Sequence, residues 1–206
     1  YVANDKGYSF GPNRLWSWDT GTAKDRAAQM GVNRAHDAMG AHIADWNGDG
    51  HPDVYLSATA ANVLLVSDSE HTYVDKTRVT NSDPMFGLDD PILMGWGGIF
   101  TDHDNDGHLD LFVTLGDWWD VPNGPRPEMG LDLLESDGTS FQSKGAEVGI
   151  VGTGSFRGVL ASDFNADGVL DFLVSSVFGR PLFFVSDGCT ANNWLEVEAP
   201  DSSKVT

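Results

Sequence analysis

Short apolar segments recur along the chain, separated by polar and glycine-rich loops. Residues 54–57, 111–114 and 172–175 are rich in β-branched and aromatic side chains, which favours strands. Each of these runs follows a glycine-containing apolar segment and precedes another apolar segment. The predicted first strands of the three units are 39–44, 94–100 and 156–161, and the predicted third strands are 62–68, 131–137 and 180–187. Short fourth strands are predicted at 72–75 and 140–142. The pattern therefore predicts an all-β protein.

A nine-residue acidic loop precedes each second strand, beginning at Asp45, Asp102 and Asp163. Side-chain oxygens stand at loop positions 1, 3, 5 and 9, a glycine stands at position 6, and a backbone carbonyl is expected at position 7. A hard cation that needs six to eight oxygen ligands fits this pattern, so the sequence predicts three Ca²⁺ ions. The predicted ligands are Asp45, Asn47, Asp49, His51 and Asp53 in the first loop, Asp102, Asp104, Asp106, His108 and Asp110 in the second, and Asp163, Asn165, Asp167, Val169 and Asp171 in the third.

Two other interpretations of these loops are weaker. A helix-loop-helix calcium site requires a bidentate Glu at position 12, where this chain has Leu56, Val113 and Val174. Asp, Asn and Gly also favour ordinary turns, but a turn does not require four oxygen-bearing side chains at fixed odd positions in three copies. The calcium interpretation is therefore preferred. The second loop has four carboxylates against three in each of the others, so it is expected to hold its ion most tightly.

The unit repeats about every 60 residues, which is the size of a four-stranded propeller blade. The predicted organisation is about three and a half blades, forming part of a β-propeller. Residues 1–35 are expected to be the back half of a blade, with a second strand at 1–4 and a third at 13–19. The complete units are expected at 36–90, 91–152 and 153–191, with calcium loops at 45–53, 102–110 and 163–171.

The loops and their flanking strands resemble FG-GAP/VCBS repeats, the calcium-binding blades that also occur in integrin α-subunit propellers. The Met-Gly-x-Gly segment at 94–97, the Gly-Arg-Pro-Leu turn at 179–182 and residues 192–197 are similar to the cartilage acidic protein 1 type, in which such blades precede an ASPIC/UnbV module. The resemblance implies an acidic extracellular or surface protein with a calcium-binding propeller. Residues 192–206 would then begin the C-terminal module. Ala166 departs from the usual Gly or Asn at loop position 4, but that position is not a ligand, so the loop geometry is expected to survive.

Charge and composition limit the possible partners. The chain has 31 acidic and 12 basic residues and a net charge of -19, and three Ca²⁺ ions would still leave it at about -13. Nucleic acid and anionic membrane surfaces are therefore unexpected partners, and no apolar run is long enough for membrane insertion. Cys189 is alone, which excludes an internal disulfide framework. Loops of moderate calcium affinity fill where calcium is millimolar, so an extracellular, cell-surface or periplasmic location is expected.

The expected function is adhesion, scaffolding or assembly, with calcium in a structural role. A protein or glycan partner would bind one propeller face, and Trp118 and Trp119 in the long connection at 116–127 are the candidate contacts. These rings could equally pack against their own blade. The remaining blades of a longer chain, or a neighbouring copy, are the other expected partners. The alternative function is a calcium-dependent polysaccharide-active enzyme of the lyase type, or a carbohydrate-binding module. No catalytic residues are assigned, because the nucleophile, phosphate-binding and zinc-protease motifs are absent.

Overall fold

The computed structural model describes residues 1–87, 93–117, 130–177, 179–188 and 192–195. In these ranges the chain forms thirteen strands and two four-residue helices. The strands are β1 (Trp16–Asp19), β2 (Thr22–Asp25), β3 (Ala38–Ala44), β4 (Asp53–Ala58), β5 (Val63–Ser67), β6 (Tyr73–Asp75), β7 (Leu93–Thr101), β8 (Asp110–Asp117), β9 (Leu131–Ser136), β10 (Phe141–Ser143), β11 (Phe156–Ser162), β12 (Asp171–Ser176) and β13 (Leu182–Phe184); the helices are α1 (Gly7–Phe10) and α2 (Thr77–Thr80). No helix in the described part of the chain has the length and hydropathy needed to cross a bilayer.

The strands form four antiparallel sheets in which sequence neighbours pair. We call them the leading sheet (β1-β2), the first sheet (β3-β4-β5-β6), the second sheet (β7-β8-β9-β10) and the third sheet (β11-β12-β13). The all-β prediction is confirmed, and the eleven strands predicted for the three complete units all appear, within about three residues at each end. Within the described residues the third sheet has three strands. The sequence did not predict β2 or the two short helices.

The glycine-rich first strands have a steric cause. Each of β3, β7 and β11 carries a register shift relative to its partner, between Ala38 and Gly40, Gly95 and Gly98, and Phe156 and Val159. At Gly97 in the second of these irregularities, an added Cβ would overlap the backbone carbonyl of Arg157 in β11. Glycine therefore allows the first strands of adjacent sheets to approach each other closely.

The sheets stack face to face in chain order. Tyr55 and Leu64 pair across β4 and β5, and they pack with Leu111 and Val113 of the second sheet in one apolar cluster. In the same way, Phe112 and Leu133 of the second sheet pack with Phe172 and Val174 of the third. We call the face that meets the following sheet the forward face, and the opposite one the rear face. Each buried junction joins a forward face to the rear face of the next sheet, as propeller blades do.

The leading sheet makes the same junction with the first sheet. Val2 and Arg14 form an antiparallel bridge before β1, corresponding to Leu56 and Val63 in the first sheet. A buried Asn supports this correspondence, because Asn13 Oδ1 accepts the N–H of Asn4 and Asn62 Oδ1 accepts that of Ala58. Tyr1 and Leu15 then occupy the forward face and pack against the rear face of the first sheet. This matches the second and third strands expected within residues 1–35.

A hydroxyl group adds a polar contact at two junctions. Ser57 Oγ donates a hydrogen bond to the carbonyl of Trp96 at 2.7 Å, and Thr114 Oγ1 donates one to the carbonyl of Arg157 at 2.5 Å. Both hydroxyls stand twelve residues after the first loop Asp, and both carbonyls stand six residues before the next one. The repeat therefore fixes the height of one sheet relative to the next by a side-chain to backbone hydrogen bond, which the sequence pattern did not reveal.

His42 should make the stability of the chain sensitive to acid. It lies beside Tyr55 on the forward face, with Nε2 3.3 Å from Ser57 Oγ, and burial lowers its pKa to about 4. A depressed histidine pKa contributes stability that is complete above about pH 6.5 and is lost as the pH falls toward 4. Between pH 7 and pH 5 we expect His42→Gln to lose about 1–2 kcal/mol less than the unaltered chain, measured by urea unfolding at saturating calcium. Parallel pH profiles for the two proteins would contradict this assignment.

Candidate calcium loops

The three loops share one backbone conformation. Position 4 is left-handed in each, with φ of 69° at Gly48, 59° at Asn105 and 60° at Ala166. Position 6 is also left-handed and is glycine each time, at Gly50, Gly107 and Gly168. Ala166 therefore adopts the same conformation as its counterparts despite its Cβ, which costs roughly 1 kcal/mol. The expectation that the third loop keeps its geometry is confirmed.

The carboxylate at position 1 organises each loop by accepting two backbone hydrogen bonds. Asp45 accepts the N–H groups of Asp49 and Gly50 at 3.0 and 2.8 Å. Asp102 accepts the corresponding groups at 3.0 and 3.0 Å, and Asp163 accepts them at 3.1 and 2.8 Å. The position 3 oxygen accepts the N–H of position 5 in all three loops. The side chains that would bind a cation are thus held inward by the backbone of their own loop.

The position 9 aspartates anchor the loops to the sheets. Asp53, Asp110 and Asp171 are fully buried, at the first residues of β4, β8 and β12. One oxygen of each accepts the N–H of loop position 2, and the other accepts the N–H of a serine at or just beyond the end of the third strand, which is Ser67, Ser136 or Ser186. Burial raises the pKa of Asp53 to about 6, against the lowering effect of these hydrogen bonds. Position 9 therefore has a structural role in addition to the ligand role predicted for it.

The second loop concentrates the most negative charge. One oxygen from each of Asp102, Asp104 and Asp106 lies within 4.8 Å of the others. Burial raises the pKa of Asp104, and the neighbouring Asp106 raises it further. In the first and third loops an asparagine replaces this carboxylate, and its amide nitrogen donates to the position 5 aspartate at 2.9 Å. A divalent cation would relieve most repulsion in the second loop, which supports the predicted order of affinity.

His103, at position 2 of the second loop, differs from expectation. The sequence suggested that its side chain would point away from the loop. Instead, Nδ1 lies 2.6 Å from Asp110 Oδ2, and because a carboxylate accepts, the imidazole donates. Burial of the ring lowers its pKa, but the hydrogen bond and charge of Asp110 act in the opposite direction, and the net direction is upward. His103 thus orients a predicted ligand from behind.

Position 2 is where sequence reasoning missed the most. Trp46 of the first loop is 5% exposed; its ring stacks on Phe141 of the second sheet with centroids 4.8 Å apart, and its Nε1–H donates to Ser136 Oγ at 2.9 Å. The first loop is therefore wedged into the following sheet. In the third loop the equivalent Phe164 is 50% exposed. The alternation of ligands marks position 2 only as a residue between ligands, so the local pattern carries no signal for this packing.

The second and third loops are linked to each other. Asn105 Nδ2 donates to the carbonyl of Gly168 at 3.0 Å, and Asn192 Nδ2 donates to the carbonyl of Asp104 at 3.0 Å. The Trp194 ring lies directly against the backbone of Gly168. Residues 192–195, expected to begin a C-terminal module, thus cross both loops in the structure.

Gly168→Ala should lower stability more than Gly107→Ala. Both glycines have positive φ, 86° and 92°, so each alanine costs roughly 1–2 kcal/mol. A Cβ at Gly168 would also overlap Trp194, whereas the space around Gly107 is open. We expect a lower melting temperature for Gly168→Ala, and we expect the difference from Gly107→Ala to shrink in a Trp194→Ala background. Equal losses in both backgrounds would show that Trp194 does not support the third loop.

The remaining predicted residues have different standings. At position 7, the N–H groups of His51, His108 and Val169 donate to the position 5 aspartates, while ligation by their carbonyls stays a prediction. Trp118 and Trp119 lie outside the described residues. The loops therefore bring together the predicted side-chain oxygens at one end of the sheets, and these donors fit a hard cation such as calcium.

Comparisons with known proteins agree with this arrangement of repeated sheets and acidic loops. Residues 1–56, which include the leading sheet and the first loop, match the FG-GAP-like repeat. This is a β-propeller repeat, and the chain is an all-β protein built from such repeats. The chain is 30% identical to cartilage acidic protein 1 of Mus musculus over 91% of its own length and 29% of the relative, and to the Homo sapiens protein with the same identity over 91% and 28%. It is thus related to cartilage acidic protein 1 and spans less than a third of these relatives, which confirms the resemblance drawn from its loops.

Proposed function

We propose that this chain is a calcium-stabilised propeller segment of an extracellular, cell-surface or periplasmic protein that serves adhesion, scaffolding or assembly. The observation that carries the calcium assignment is the threefold repetition of one loop geometry, in which the backbone holds acidic oxygens inward. Calcium would act structurally, because it offsets the repulsion among carboxylates that the loops force together. The similarity to cartilage acidic protein 1 supports a place outside the cytosol, where millimolar calcium fills loops of moderate affinity.

The partner in this proposal is a protein or glycan that binds one propeller face, with Trp118 and Trp119 as candidate contacts. The net charge of -19 makes nucleic acid and anionic membranes unsuitable partners. The buried anchoring of the position 9 aspartates supports a structural rather than a catalytic metal, since these carboxylates are committed to holding strands.

The test is the number of calcium ions bound per chain, measured by elemental analysis after chelation and re-addition of calcium. We expect three ions and a higher melting temperature when they are bound. Asp104→Ala should remove one ion and leave the other two, and calorimetric titration should show that the lost site is the tightest. A chain that binds no calcium and melts at the same temperature with and without it would overturn the proposal.

A further inference from the structure

One forward face in this structure meets no following sheet. In the leading, first and second sheets the central pair of the forward face is Tyr1 and Leu15, Tyr55 and Leu64, and Phe112 and Leu133, and each pair packs against the next rear face. The corresponding pair in the third sheet is Leu173 and Phe183, which are neighbours in β12 and β13. These two side chains are 39% and 52% exposed, whereas Tyr55, Leu64, Phe112 and Leu133 are completely buried.

The exposed forward face is a continuous apolar surface. Leu160 of β11 pairs with Leu173, so Leu160, Leu173 and Phe183 form a row across all three strands. Phe164 extends it, because its ring meets that of Phe183 edge to face at 5.3 Å. In the first loop the counterpart of Phe164 is Trp46, which inserts into the following sheet. The third sheet therefore presents the same apolar elements that the first sheet uses at its junction.

The leading sheet exposes the complementary surface. Val2 and Trp16 occupy its rear face, at the positions that Leu56 and Leu65 hold in the first sheet, and they are 48% and 47% exposed. Leu56 and Leu65 are completely buried, because the leading sheet covers them. The chain thus carries an uncovered forward face at one end and an uncovered rear face at the other.

We propose that these two faces bind each other in a head-to-tail contact between two copies of this chain. The contact would continue the series of forward-to-rear junctions already present, with Leu160, Leu173 and Phe183 of one copy packed against Val2 and Trp16 of the other. Burial of apolar surface would drive it, as at the internal junctions. The proposal stands on sheet packing alone and does not depend on calcium occupancy.

Charge favours a second copy as the occupant. Residues 1–35 contain five basic and three acidic residues, whereas the whole chain has a net charge of -19. Residues 153–188, which include the third sheet, contain four acidic and two basic residues. The leading segment is therefore the part of the chain best suited to approach the acidic third sheet of another copy.

The hydroxyl of Ser175 distinguishes this contact from one with a further complete repeat. Its counterparts Ser57 and Thr114 each donate to a first-strand carbonyl of the following sheet. Ser175 Oγ instead accepts the N–H of Gly158 at 2.9 Å and lies 3.4 Å from the Gly158 carbonyl, both in its own sheet. The leading sheet contains only β1, β2 and the Val2 bridge, so it has no first strand to offer a carbonyl. Ser175 already has partners, so a second copy leaves no buried hydroxyl unsatisfied.

The test is the mass of the full chain in solution by sedimentation velocity and light scattering over a wide concentration range, with calcium held constant. The unaltered chain should form species larger than its 22.2 kDa monomer. Leu173→Asp and Trp16→Asp should each abolish this association, with dissociation constants raised at least about tenfold. An equimolar mixture of the two variants should form a dimer and nothing larger, because only one intact forward face and one intact rear face remain per pair.

The controls separate a specific contact from general stickiness. Val79 on α2 is 73% exposed at the outer edge of the first sheet, away from both faces, so Val79→Asp should associate like the unaltered chain. Phe183→Asp should reproduce the effect of Leu173→Asp, and each variant should keep the melting temperature of the parent within a few degrees. The proposal is overturned if the unaltered chain stays at 22.2 kDa at all concentrations, which would point to a further repeat as the occupant. It is also overturned if the mixture stays monomeric or if Val79→Asp dissociates like the face variants.

Discussion

Trp46→Ala is expected to destabilise the chain by about 3–5 kcal/mol, the range for removing a large aromatic side chain from a core. The Trp46 ring fills the junction between the first loop and the second sheet, stacked on Phe141 and hydrogen-bonded to Ser136 Oγ. In a chain of this length the melting temperature should fall by about 6–20 °C. Urea unfolding at saturating calcium provides the direct measurement of the free energy.

The matched control is Phe164→Ala at the same position of the third loop. Phe164 is half exposed and touches only its own sheet through Phe183. Its loss should cost less than about 1.5 kcal/mol, which is typical of exposed apolar positions and aromatic pairs. Trp46→Phe should fall between the two variants, because it keeps the stack on Phe141 and loses the hydrogen bond to Ser136. Similar losses from Trp46→Ala and Phe164→Ala would show that insertion between sheets is not what stabilises the first loop.

The strands and loops were predictable because their signals are local. A β-branched run after Asp53, Asp110 or Asp171 identifies a strand from its own composition, and the ligand spacing identifies a cation loop from nine residues. The exception is β2, whose Thr-Ala-Lys-Asp sequence has no apolar alternation. It is a strand because it pairs with β1 along Trp16 to Asp19, so tertiary pairing overrides a weak intrinsic preference.

Contacts between distant parts of the chain could not be predicted from the pattern. Trp46 meets Ser136 across 90 residues of sequence, and Ser57 meets Trp96 across 39. The contact of His103 with Asp110 is only seven residues long, yet it depends on a side-chain direction that the loop spacing does not determine. The same limit applies to position 9, where the sequence indicated a ligand but not the two backbone hydrogen bonds that bury it.

Removal of the position 9 carboxylate should therefore separate structure from metal binding. Asp110→Ala deprives three donors of their acceptor: the backbone N–H groups of His103 and Ser136, and the His103 ring. Buried donors left unsatisfied cost about 1–3 kcal/mol each, so we expect a loss of about 3–6 kcal/mol. This loss should appear in the presence of a chelator as well as in calcium, because the hydrogen bonds are made by the protein alone.

Asp104→Ala is the matched variant in the same loop, because Asp104 is only partly buried and accepts a single backbone hydrogen bond, from Asp106 at 3.2 Å. In chelator it should unfold at nearly the denaturant concentration of the unaltered chain, and in calcium it should lose the stabilisation that the second loop's ion provides. Comparing both variants with and without calcium by denaturant unfolding gives four differences from the unaltered chain. If Asp110→Ala is destabilising only in calcium, position 9 acts as a ligand alone. If Asp104→Ala is equally destabilising in chelator, its carboxylate supports the loop without metal, and the structural effect of calcium must be assigned to other residues.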